Sequence, residues 1–214
     1  MALPGTHIRV ALELKEKLGV SDLDKYFSGT VYPDSRYVTK LARRMTHDRS
    51  YTKQEFYEHD DFKKGWVVHL LYDNIQFETI TRLFKNQFND LEIPIMHGTK
   101  DWLTLTAIKT LQDISDVAAF PIEKYLHYLK YIETPNHEAV KEIEDYNFGV
   151  IEMYSPSLPT LASDYRPRFQ FLGIEPQVIA GLIKRGNELS QDRGVIERIN
   201  NLFSETIKQI NFET

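Results

Sequence analysis

Cysteine is absent from the sequence. Disulfide staples and thiolate chemistry are therefore excluded, and any bound metal has to be held by histidine and carboxylate side chains. The lack of cysteine is in keeping with a reducing compartment. Long apolar runs are also missing: no window approaches the roughly 18 apolar residues that a membrane-spanning helix needs. The N-terminal stretch "MALPGTHIRVALELKEKLG" does not follow the basic-then-apolar order of a secretory leader. A cytoplasmic location is the expectation. An excess of positive charge is lacking too. The 26 Lys and Arg stand against 31 Asp and Glu, a net charge of −5 with the signs interspersed. That balance argues against a broad basic surface for nucleic acid. Internal repeats and low-complexity tracts do not occur.

What is present is ordinary globular composition, 42% hydrophobic and 27% charged over 214 residues, enough to bury a core unaided. Helical periodicity dominates the chain. Residues 6–18 carry Ile8, Leu12 and Leu18 at helical spacing, with Thr6 a candidate cap and Gly19 a stop. Ser21 opens a short helix over 22–28, and residues 36–46 read as a short helix or an irregular turn. Thr52 and Glu55 have capping-box spacing. A long helix over about 61–86, with Asp61 as its cap, shows a wide apolar stripe through Phe62, Trp66, Val67, Leu70, Leu71 and Ile75. Further helices are predicted over 102–118 (capped by Asp101), 121–132 and 135–145. "YSPSLPTLASDYRPR" (154–168) reads as a loop, and two closing helices follow it. Strand-like alternation is confined to the ambiguous run 88–98. One all-α domain, a multi-helix bundle spanning 1–214, is the predicted architecture.

The central question is posed by "GWVVHLLYDNIQ", residues 65–76. An apolar helix carries His69 and Asp73 four residues apart, on one face and one turn from each other. Two readings are open: a core histidine hydrogen-bonded to Asp73 within its own helix, or a pair of ligands sharing one ion. Burying such groups is costly unless each finds a partner, and a metal is an efficient partner for several. Asp34 follows Pro33 in a turn and is either an Asx-turn residue or a ligand. His47 stands in a polar stretch. His7 lies near a helix start.

Taken in order, His7, the Gly-x-x-x-Pro-Asp of residues 29–34, His47, and "FKKGWVVHLLYD" of residues 62–73 resemble the zinc-dependent phospholipase C family, in particular its compact bacterial members. The resemblance covers roughly residues 6–77. It implies a phospholipase C/P1 nuclease-like helical fold with metal ions bound between helices. Carried over, it makes Asp34, His47, His69 and Asp73 one zinc site, with Asp73 at the seam to a second ion and His7 belonging to that second position. Two histidines and two carboxylates suit zinc and are acceptable to iron or manganese. Gln76 also matches a glutamine of the secreted phospholipases. There are departures. Thr79 stands where those enzymes place a further histidine, and no H-x-x-x-E occurs after residue 80. His59, Asp60 and Asp61 of "EHDD" are either substitute ligands or a solvated helix start.

The predicted function is therefore a hydrolase of phosphate esters using one or two divalent ions, with a small soluble phosphoester as substrate. Arg36, two residues after Asp34, is the candidate phosphate contact. Asp48 or Asp61 is the candidate base or orienting carboxylate. Two alternatives stand beside it. One is a helical interaction protein with a structural or vestigial metal site. The other is an HD-type phosphohydrolase built on His47–Asp48.

Overall fold

The computed structural model describes residues 3–47, 59–88, 95–132 and 139–210. All regular structure over those residues is helical. The helices are α1 (Pro4–Leu14), α2 (Leu23–Val31), α3 (Arg36–Thr39), α4 (Arg43–Thr46), α5 (Asp61–Leu83), α6 (Lys100–Ala118), α7 (Val140–Met153), α8 (Arg166–Phe171), α9 (Pro176–Ser190) and α10 (Arg193–Ile207), with 3-10 turns joining several of them. No helix among the described residues is long and apolar enough to cross a membrane.

Helix α5 is the element around which the site is built. Over its first ten residues only Lys63 escapes burial. Such a helix needs neighbours on every side. Helix α2 supplies the closest of them. A Cβ on Gly29 would stand 2.0 Å from the Phe62 carbonyl oxygen, and one on Gly65 2.0 Å from that of Tyr26. The two glycines let the backbones approach to a distance no other residue permits. The cap of α5 is Asp60, which accepts from the Lys63 amide at 2.8 Å, one residue before the predicted Asp61. Asp61 instead ties α5 to the chain entering α2. Its Oδ2 accepts from the Ser21 amide and hydroxyl and the Asp22 amide, and its Oδ1 from Lys64 Nζ at 3.0 Å.

Helix α1 begins at Pro4, ahead of the predicted Thr6, and Leu3 gives it no side-chain cap. Its free amides are satisfied from across the fold. Gly5 N donates to the Tyr154 hydroxyl at 2.9 Å and Thr6 N to Asp113 Oδ1 at 2.6 Å. Asp113 comes from α6, whose own cap is Thr99 rather than Asp101. The predicted helix over 121–132 resolves into 3-10 turns at Ile122–Lys124 and Leu126–Lys130. Ile122, Leu126 and Leu129 bury their side chains at helix-like spacing, but Tyr125, with φ −110°, interrupts the ladder between them. The predicted loop 154–168 contains a 3-10 turn at Ala162–Tyr165 and the start of α8, held by buried Tyr165 and Phe169. Helix α7 spans Val140–Met153 and continues past the predicted end at residue 145. Residues 133–138 and the Thr52–Glu55 pattern lie outside the described residues. A second buried cluster, with Phe84, Ile108, Val195 and Leu202 among its members, closes the far end of α5 against α6 and α10.

Candidate metal centre

Three segments converge on the middle of α5, which itself carries two of the side chains. Helix α1 brings His7, the 3-10 turn Tyr32–Ser35 brings Asp34, the end of α4 brings His47, and α5 brings His69 and Asp73. One ligand atom from each of His7, Asp34 and His69, and likewise from each of His47, His69 and Asp73, lies within 4.8 Å of the others. The separations share one character. His69 Nε2 is 4.0 Å from Asp34 Oδ1 and 3.8 Å from Asp73 Oδ2, and His7 Nε2 is 3.9 Å from Asp73 Oδ1. These are too long for hydrogen bonds. They match ligand atoms that each stand about 2.1 Å from a shared ion. The intrahelical His69–Asp73 hydrogen bond that the spacing left open is thus not formed.

Unsatisfied buried atoms mark the same place. Both ring nitrogens of His7, Nε2 of His69 and Oδ1 of Asp34 are enclosed without a hydrogen-bond partner. His7 and His69 are 1% and 0% exposed. Orphaned buried polar groups are rare because each forfeits its hydration. Lone pairs from imidazole and carboxylate pointing at one another are what a divalent cation satisfies, so the side chains present fit such an ion.

The surroundings orient and tune these groups. His69 Nδ1 donates to the carbonyl of Thr30 at 2.8 Å. That fixes the tautomer and leaves the lone pair on Nε2, facing the cluster. Thr30 lies in reach because Gly29 and Gly65 let α2 and α5 touch. Trp66 Nε1 donates to the Thr46 carbonyl at 2.7 Å and pins the backbone just ahead of His47. Burial, then the neighbouring His69, pushes the His47 pKa down to about 2. The same two causes hold His7 well below its ordinary value. Both rings are thereby kept neutral, the form that binds metal. For Asp73, burial works against ionisation but neighbouring positive charge, Lys109 foremost, overcomes it, and the carboxyl is held well below the usual range.

His47 and Asp73 also form part of the wall of a cavity of about 600 Å³. Arg36, Arg43 and Lys109 give this wall positive charge, and Leu70, Phe77, Trp102 and Ile174 give it apolar surface. Arg36 donates to the Tyr37 hydroxyl at 2.6 Å and lies over that ring. The His97 ring packs tilted against Trp102, with centroids 4.3 Å apart, and lines the cavity as well.

Of the residues the sequence nominates, His7, Asp34, His47, His69 and Asp73 come together, and Arg36 stands at the cavity beside them. Asp61 does not join them: both its oxygens are engaged by Ser21, Asp22 and Lys64, which hold its pKa down to about 2 against the opposing effect of burial. Asp48 lies outside the described residues. Gln76 bonds to Gln112 at 2.8 Å rather than to the cluster, and Thr79 accepts from Gln209. Sequence reasoning missed Lys109, whose Nζ is 3.3 Å from Asp73 Oδ1. It also missed the buried Asp113 and Asp116 that seat α1. One signal was there to find: Lys109, Gln112, Asp113 and Asp116 fall at i, i+3, i+4 and i+7, a polar stripe on a buried helix face.

Fold and site together define an all-α protein with a buried histidine–carboxylate centre opening on a cationic cavity. No family model matches the chain, and no curated protein or solved structure matches it.

Proposed function

We propose that the protein is a metal-dependent hydrolase of phosphate esters, as the resemblance of its first third to the zinc-dependent phospholipase C family implies. The observation that carries this reading is the meeting of five side chains from four segments, with orphaned imidazole nitrogens and a carboxylate oxygen, beside a cavity lined by cations. Asp34, His47, His69 and Asp73 are the proposed ligands, with His7 closing the cluster from α1. Zinc suits the donors, and iron or manganese is compatible with them. Such an ion, when bound, supplies an activated water at neutral pH and a Lewis acid for a phosphoryl oxygen.

The chain's own residues do the rest. Arg36, Arg43 and Lys109 draw an anionic phosphate to the wall that Asp73 and His47 share. The apolar surface of Leu70, Phe77 and Trp102 holds the organic part of the ester and excludes water from it. Thr30 keeps the His69 ring aimed, and burial keeps His7 and His47 neutral.

The test is metal analysis of the purified chain by emission spectroscopy, followed by turnover on a panel of generic phosphomonoesters and phosphodiesters. Bound ion with turnover, and loss of both in His69→Ala, is expected. Full metal content in His69→Ala would refute the ligand assignment. A tightly held ion with no turnover on any ester would leave the rival reading, a helical interaction protein with a structural metal.

A further inference from the structure

Resting on the metal site just proposed, the placement of Lys109 decides how many ions it holds. Asp73 presents its two oxygens in different directions. Oδ2 faces His69 Nε2 at 3.8 Å. Oδ1 faces His7 Nε2 at 3.9 Å and accepts from Lys109 Nζ at 3.3 Å. Both ligand triads among the described residues contain His69. The Nδ1 of His69 is committed to the Thr30 carbonyl, so the ring has one lone pair to give, at Nε2. One lone pair serves one ion, and the two triads therefore describe a single cation seen from two sides. A second ion between His7 and Asp73 Oδ1 would have two protein ligands and a buried ammonium against it. Lys109 is 4% exposed and makes its one ion pair, among the described residues, with Asp73. Like charges so close, out of water, oppose each other strongly.

We propose that the chain binds one divalent ion per molecule, and that Lys109 is a substrate-binding residue whose fixed ammonium takes the place of a second metal. One of its three N–H groups holds Asp73 Oδ1. Another faces the cavity that Lys109 lines, where it meets an oxygen of the bound phosphate.

Titration of the full-length, metal-stripped chain with zinc alone tests the first half with no substitution. One equivalent per chain is expected. Two equivalents would overturn the single-ion assignment while leaving the metal site standing. No binding would remove the metal site itself. The second half is read from Lys109→Met and Lys109→Arg, with inorganic phosphate as the probe on the zinc-loaded protein. Lys109→Met is expected to weaken phosphate binding by about tenfold, the value of one charge-assisted hydrogen bond, and Lys109→Arg to retain most of it. Because a repelling charge is gone, Lys109→Met should bind zinc at least as tightly as the parent, measured against a competing chelator. Unchanged phosphate affinity, or a loss of zinc in Lys109→Met with a normal melting temperature, would show that Lys109 serves only to hold Asp73. Should Lys109→Met fail to fold, Lys109→Gln, which keeps a donor without the charge, is judged by the same two affinities.

Discussion

His7 stacks on His69 with ring centroids 3.7 Å apart and planes 13° apart. The stack joins α1 to α5 through two enclosed imidazoles, one with a single nitrogen engaged and the other with none. A pair of aromatic hydrocarbons would make the same contact without burying nitrogen.

That contrast yields the first prediction. His7→Phe keeps the stack and discards both orphaned nitrogens. The metal-free protein is expected to be more stable than the parent, by roughly 1 kcal/mol or more, because a buried unsatisfied polar group has been removed. Zinc affinity is expected to fall at least about tenfold, as lost coordination or support of a metal does. Urea unfolding of the stripped protein and chelator competition read the two effects separately. A variant that loses stability and keeps its zinc affinity would show His7 to be a packing residue.

Trp66→Phe tests how His47 is placed. The indole N–H holds the Thr46 carbonyl at 2.7 Å, one residue ahead of the ligand. Phenylalanine preserves most of the packing with Tyr32 and Phe62 but leaves that carbonyl without its donor. The expected result is a metal affinity lower by about tenfold, in the range for losing a supporting hydrogen bond, with cooperative unfolding retained. Parent-like affinity would mean that α4 holds His47 without the indole.

Gly65→Ala probes the helix crossing beneath the site. The added methyl would stand 2.0 Å from the Tyr26 carbonyl and 2.8 Å from the Thr30 amide nitrogen. These are backbone atoms, so α2 and α5 have to move apart. Overpacking of this kind costs about 1–3 kcal/mol and occasionally more. The separation also draws the Thr30 carbonyl away from His69 Nδ1, so metal affinity is expected to drop together with the melting temperature. An alanine variant that melts with the parent would mean that the crossing is looser than the structure shows.

These relationships explain which parts of the molecule could be read from the residues alone. His69 and Asp73 were legible because i, i+4 spacing on an apolar helix is a local signal. Asp34 and His47 were legible only as members of an ordered pattern, since a Pro-Asp turn and a polar His-containing stretch are each common. The close approach at Gly29 and Gly65 and the placing of the Thr30 carbonyl emerge from the pairing of two helices, which no local window contains. The polar stripe that Lys109 shares with Gln112, Asp113 and Asp116 was readable, but the partner of Lys109 was not, for a similar reason. A lysine on a helix reads as solvated until a carboxylate from another helix is known to lie opposite it. The caps were misplaced by one residue at Asp22, where Ser21 was expected, and at Asp60–Asp61, by two at Thr99–Asp101, and by three at Leu3, where Thr6 was expected. Adjacent polar residues offer several cap candidates, and tertiary partners choose among them: Asp61 was claimed by Ser21 and Asp22.

Asp116 supplies a pH-dependent prediction away from the metal. Its Oδ2 accepts from the Thr6 hydroxyl and its Oδ1 from Arg9 at 2.7 Å. Burial outweighs both partners, and the pKa is pushed up to about 7. An unfolded chain releases that proton near pH 4. Between those values the folded state holds more protons than the unfolded one, so this group's contribution to stability is complete below about pH 4 and is lost as the pH rises toward 7. The neutral His7 and His47 act in the opposite sense over part of the same range, since their pKa values are lowered on folding. The effect of Asp116 is therefore isolated as a difference between the parent and Asp116→Asn, which is close in shape and cannot ionise. The asparagine variant is expected to gain on the parent as the pH increases from 4 to 7, by up to about 1.4 kcal/mol per pH unit. Urea unfolding of both metal-stripped proteins at half-unit pH steps measures the difference. A constant offset across that range would mean that Arg9, at 2.7 Å, keeps Asp116 ionised in the folded protein.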